Sequence, residues 1–116
     1  MPDFGSGAVA SGHGESGWER VCAAADIPSS RPLAVEIAGR AMLLCRAGGE
    51  VFAVDARCPH AGQSLAGGRV RGGAIACPHH GARFRLSDGA AIAGPTKRAL
   101  GCHAVRLEGG EVWVRP

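Results

Sequence analysis

Cys58-Pro59-His60, sixteen intervening residues, then Cys77-Pro78-His79-His80 is the stretch on which the reading of this chain turns. It supplies two thiols and a choice of imidazoles on two short segments. A proline directly after each cysteine fixes φ and withholds an N–H, which helps to hold each segment in one shape. Two metal chemistries use two cysteines and two histidines. One is structural zinc, whose first ligand pair is usually separated by two to four residues. The other is a two-iron cluster with thiolates on one iron and neutral imidazoles on the other, an asymmetry that makes electron uptake easier than in an all-cysteine cluster. Only one residue separates Cys58 from His60, and each segment mixes the two ligand types. That spacing argues against zinc.

The order Cys-x-His, then Cys-x-x-His, resembles the Rieske iron-sulfur family. The resemblance extends beyond these residues, to Trp18, Asp26-Ile27-Pro28 and Phe52-Ala53-Val54 before them and to Gly81, Phe84, Asp88-Gly89 and Gly94-Pro95 after them. It covers about residues 17–116. It implies one [2Fe-2S] cluster per chain, with Cys58 and Cys77 on one iron and His60 and His80 on the other. His79 would repeat the spacing of the first segment. The family places its second imidazole one residue later, which selects His80 and leaves His79 as an exposed neighbour. Gly94-Pro95 resembles the loop that covers a further side of the cluster in this family, although the pair alone reads as an ordinary turn.

The same resemblance bears on the potential. High-potential members carry an additional cysteine in each ligand loop, joined as a disulfide, where this chain has Gln63 and His79. They also direct a serine and a tyrosine hydroxyl at the cluster sulfurs from positions that match Ala82 and Phe84. Donated hydrogen bonds favour the more negative, reduced state. Their absence implies a low-potential carrier.

A length of 116 residues fits one domain. No uninterrupted apolar run is longer than that over residues 41–45, far short of the roughly 20 residues of a membrane helix. The first seventeen residues show no basic segment followed by an apolar stretch, so no secretory signal is expected. Residues 1–16, mostly Gly, Ser and Ala, are expected to form a flexible tail ahead of a Rieske domain over 17–116, with the cluster-binding part at about 56–98. Cys22, Cys45 and Cys102 read as small buried apolar side chains in a reducing compartment.

Charge is unevenly distributed. The chain carries a formal +3, yet residues 56–98 hold seven arginines and lysines against Asp88 alone, leaving the remainder at −3. Such an excess can steer an acidic partner or be a solvated face. A single aromatic residue, Phe84, interleaves these arginines, so a stacking platform for single-stranded nucleic acid is lacking.

From Trp18 onward, short runs of Val, Leu and Ile are separated by turn signals, and helical periodicity is nearly absent. Strands are expected over residues 18–23, 33–37, 41–46, 51–55, 83–86, 90–92, 102–107 and 112–114, with a strand or hairpin around Gly72-Gly73 inside 69–77. Gly48-Gly49, Asp88-Gly89 and Gly109-Gly110 mark turns. The expected fold class is all-β, a small antiparallel β-sandwich. By resemblance it is the three-sheet Rieske sandwich, with a cluster-binding subdomain formed by two ligand loops.

The function implied is a cytoplasmic, monomeric electron carrier without catalytic activity of its own. It would pass single electrons from a flavin-dependent ferredoxin reductase to a terminal oxygenase, with no nucleic-acid or membrane partner. The chain has neither a flavin fingerprint nor a mononuclear iron site of two histidines and a carboxylate. Two alternatives remain open: a small Rieske-like subunit of a larger reductase such as assimilatory nitrite reductase, and a zinc-binding structural module.

Overall fold

The computed structural model describes residues 17–59, 62–78, 81–94 and 97–116. The expected tail over residues 1–16 lies outside them, as do His60, His79, His80 and Pro95. Ten strands carry the fold: β1 (Glu19–Ala23), β2 (Leu33–Ile37), β3 (Arg40–Ala47), β4 (Glu50–Asp55), β5 (Arg69–Arg71), β6 (Ala74–Ala76), β7 (Arg83–Arg85), β8 (Ala91–Ala93), β9 (Cys102–Glu108) and β10 (Glu111–Arg115). A 3-10 turn, Ala24–Asp26, follows β1. All ladders are antiparallel, and six of the eight join consecutive strands through hairpin-length connections.

Six strands form one sheet in the order β1-β10-β9-β4-β3-β2, and four form a second in the order β5-β6-β7-β8. The resemblance implied three sheets. Here β9 pairs with β10 along five residue pairs and also with β4 through Ala53–His103 and Val54–Cys102, so two of the three merge. A side-chain contact reinforces the junction, with His103 Nε2 2.7 Å from Asp55 Oδ1. The backbone seals it further, since the Asp55 N–H donates to the Gly101 carbonyl at 2.9 Å.

Strand β3 explains how the two sheets share one body. Residues 42–45 are all buried, although a strand with one wet face would alternate. Met42 and Leu44 point into a core with Ile27, Ile37, Val51, Ala53, Val112 and Val114. Leu43 and Cys45 point the other way, into a core shared with Val54, Leu65, Ile75, Phe84 and Leu86. The unbroken apolar run in the sequence therefore marks a strand buried on both faces.

The start of the described chain is pinned by aromatic stacking. The Arg106 guanidinium lies 4.7 Å from the Trp18 ring centroid and 5.9 Å from that of Trp113, and Arg115 lies 5.6 Å from Trp18. Such contacts are worth about 0.5–1 kcal/mol each at exposed sites.

The three further cysteines are not alike, and the expectation of burial holds for only one of them in full. Cys45 is buried, Cys22 is half-buried and Cys102 is exposed. Cys102 does share the sheet face of Leu43 and Val54, through its pairing with Val54. It sits at the rim of that core, with Sγ 3.7 Å from the Leu100 carbonyl and 3.8 Å from that of Leu86. Burial pushes the Cys45 thiol up to about 12, so it stays protonated and is a poor metal ligand.

Candidate metal centre

Each of the two sequence segments forms a hairpin with a cysteine at its last paired position. In the first, which follows β4, the Leu65 N–H donates to the Ala56 carbonyl at 2.7 Å. Arg57 then bridges Ser64, and the Cys58 N–H donates to the Gln63 carbonyl at 2.7 Å. In the second, between β6 and β7, Ala76 pairs with Arg83 and the Cys77 N–H donates to the Ala82 carbonyl at 2.7 Å. Both frames read Cys-Pro-x-x-Gly-x, with a four-residue tip, 59–62 or 78–81.

The glycine that closes each tip is dictated by backbone geometry. Gly62 has φ +68° and Gly81 has φ +73°, the left-handed region that costs a side-chain-bearing residue energy. A Cβ on either would meet no described atom within 4 Å. Conformation, then, is what requires glycine at these two positions. The first tip is also braced by Arg57, whose Nη1 donates to the Gly62 carbonyl at 3.0 Å.

Close backbone approaches bring the segments together. A Cβ on Gly68 would fall 2.3 Å from the Ala76 carbonyl oxygen, one residue before Cys77. The exit of the first hairpin therefore runs against the entrance of the second. A third segment closes on them, because a Cβ on Gly94 would fall 2.4 Å from the Ala82 Cα. Cys58 and Cys77 belong to the same buried core, at 1% and 4% exposure, together with the fully buried Ala82 and Phe84. Among the described residues no disulfide joins any cysteines, and no group of three or more metal-binding side chains is gathered.

Two buried thiols, each heading a rigid hairpin and each followed by an imidazole-bearing tip, suit a metal group that takes sulfur and nitrogen from two loops. Among the described residues, the side chains buried beside the two cysteines are apolar. Ala82 and Phe84 bring no hydroxyl, in agreement with the sequence. Spacing had pointed to Cys58 and Cys77, whereas the Arg57 brace and the Gly68–Ala76 contact had no signal in the sequence beyond the pair Gly67-Gly68.

Residues 17–104 match the Rieske [2Fe-2S] domain family. The chain belongs to it. It is 30% identical over 97 residues to the ferredoxin component of a naphthalene 1,2-dioxygenase system from Pseudomonas aeruginosa, covering 84% of this chain and 93% of that protein. The solved ferredoxin of Sphingomonas yanoikuyae B1 superposes with a TM-score of 0.78 at 33% identity, covering 84% of this chain and 96% of that one. A ferredoxin-sized chain in the complex of reduced oxygenase and oxidized ferredoxin of carbazole 1,9a-dioxygenase gives 0.79 at 31% identity, over 87% of this chain and 94% of that one. This Rieske ferredoxin is an electron-transfer protein, and the group its fold holds is a [2Fe-2S] cluster, a one-electron couple.

Proposed function

We propose that this Rieske ferredoxin carries single electrons from a flavin-dependent ferredoxin reductase to a terminal oxygenase, as a free, soluble, cytoplasmic monomer. The observation that carries the reading is the pair of matched cysteine-headed hairpins, buried at the cysteine end, in a chain that spans nearly the whole of a dioxygenase ferredoxin component. Relatives that are ferredoxin components of dioxygenase systems support a mobile carrier over a fixed subunit of a larger reductase. In the test, the iron-loaded protein is titrated into an assay with purified reductase and oxygenase. Oxygenase turnover that rises with its concentration is expected. Turnover unchanged by it would remove the proposal.

Cys58 and Cys77 are proposed to ligate one iron, and His60 and His80 the other. The two hairpin frames are equivalent, so frame position alone pairs His60 with His79. The choice of His80 rests on the family pattern. His79→Ala should keep the visible absorption and the reduced-state paramagnetic resonance, and His80→Ala should lose both. The reverse result would exchange the two residues.

Ala82 and Phe84, which carry no hydroxyl, support a low midpoint potential. A hydrogen bond to a charged group is worth about 1.5–3 kcal/mol, and about 1.4 kcal/mol corresponds to 59 mV for one electron, so each absent hydroxyl lowers the midpoint by roughly 60–130 mV. The expected value lies near the low end of the range of about −150 to +300 mV for such centres. A midpoint above roughly +150 mV would contradict it.

A further inference from the structure

The four-stranded sheet turns a face of arginines to solvent. Paired residues project to the same side of a sheet, so the rows Arg69-Ala76-Arg83 and Arg71-Ala74-Arg85 set four guanidinium groups around two alanines. Val70, Ile75 and Phe84 take the opposite, buried side. Strand geometry places the corners of this array roughly 10 Å apart across the strands and roughly 7 Å apart along them. All four arginines are exposed.

Their charges are not equally available. Arg85 donates from Nε and Nη2 to the two carboxylate oxygens of Asp88 at 3.0 and 2.9 Å. Among the described residues, no carboxylate reaches Arg69, Arg71 or Arg83. Arg31 extends the array, since with Arg69 it lines a cleft of about 190 Å³ floored by Ala66, Gly67 and Gly68. Clustered like charges disfavour the compact state, and these guanidinium groups do not enter the core. The array is also contiguous with the metal centre, because β6 runs directly into Cys77 and β7 begins two residues after Gly81.

We propose that this face docks an acidic protein surface, that of a redox partner, with one of its carboxylates seated between Arg31 and Arg69. The proposal rests on the electron-carrier reading above and adds the surface that recruits the partner. A protein suits the array better than a nucleic acid. The residues between the arginines are alanines, which give bases nothing to stack on. A protein docked here would lie beside the second cysteine hairpin, where electron exchange is served. The attraction acts on encounter rate, and salt screens it within about 10 Å.

The test compares the iron-loaded wild type with the triple variant Arg69→Gln, Arg71→Gln, Arg83→Gln, whose unchanged visible spectrum certifies the fold. Two probes are used: poly-L-glutamate, by titration calorimetry, and a reduced acidic flavodoxin, by stopped flow. In the second, one electron passes from the flavin hydroquinone to the cluster, leaving a semiquinone, and no bond to protein forms or breaks. Reduced riboflavin, a small donor with no protein surface, is the comparison. The wild-type rate with flavodoxin should fall about tenfold between about 20 and about 200 mM NaCl. The variant should be about tenfold slower at low salt, nearly insensitive to salt, and unchanged with riboflavin. Asp88→Asn frees Arg85 and should raise the low-salt rate about twofold.

Equal salt slopes in wild type and variant, or undiminished poly-L-glutamate binding, would overturn the proposal. So would binding of a short DNA duplex that the variant loses while its flavodoxin rates stay the same, which would assign the face to nucleic acid. Protein that takes up no cluster would refute the carrier reading and leave the calorimetry to judge the arginine face.

Discussion

The two cores on either side of β3 differ in what closes them. On the Met42 and Leu44 side, strands of five to eight residues surround eight buried aliphatic residues. On the Leu43 and Cys45 side, the four-stranded sheet has strands of only three residues, and two of the twelve buried side chains are Cys58 and Cys77. Three-residue strands form few ladder hydrogen bonds, so less backbone pairing holds the second core, although more side chains are buried in it. The first core is closed by packing among its own aliphatic side chains. The second includes the two thiols proposed above as cluster ligands, and on that proposal binding of the cluster contributes to folding. One strand thus joins a scaffold closed by aliphatic packing to a region that, on the same proposal, is completed by its cofactor.

The sharpest way to break this contrast is to strip the iron. Amide protection at Cys58, Cys77 and Leu86 should collapse by orders of magnitude while that of Leu44 and Val114 persists, as read by hydrogen exchange. Equal loss in both regions would show that they unfold as one unit. Next in size, Phe84→Ala should cost about 3–5 kcal/mol and hasten cluster loss, whereas Met42→Ala should cost about 2–5 kcal/mol and leave the cluster lifetime in the folded state unchanged. Denaturant unfolding, followed by visible absorption and by circular dichroism, separates the two.

The shell of the metal centre offers two finer tests. Gly94→Ala would press a Cβ onto the Ala82 backbone at φ +102° and should cost about 1–3 kcal/mol, with faster bleaching. Ala82→Ser should raise the midpoint by roughly 60–130 mV if its hydroxyl reaches a ligand or bridging sulfur. An unchanged midpoint in a voltammetric measurement would show that it does not.

The smallest effect lies on the exposed side of the four-stranded sheet. The Arg85 side-chain hydrogen bonds, aided by the Ala90 N–H, hold the Asp88 carboxyl at about 2. A depressed folded value means that this carboxylate favours the native state above the ordinary carboxylate range. The contribution fades as pH falls through about 2. Asp88→Asn should therefore abolish a minor part of the acid sensitivity between about pH 4 and pH 2. It should leave thermal stability at neutral pH nearly unchanged, since exposed ion pairs contribute little.

Much of the fold was legible because turn chemistry is local. The double glycines at 48–49, 72–73 and 109–110 each separate strands that do pair, and β2 spans the expected residues 33–37. Strand ends differ from expectation by one residue where the chain frays into turns. The exposure of Cys102 was not legible, because a short alternating segment does not reveal where a strand runs past the edge of its core.

The proposed ligand chemistry was read from the sequence by itself. Residue types and their spacing are local, and no fold is needed to see that Cys58 and Cys77 are thiols on proline-stiffened loops. Only the tertiary structure decided that both hairpins share one frame, that Gly68 and Gly94 press the three segments together, and that alternate arginines of β5 and β7 fall on one face. Those relations depend on register and on backbone contact between residues distant in the chain, and a linear pattern does not encode either.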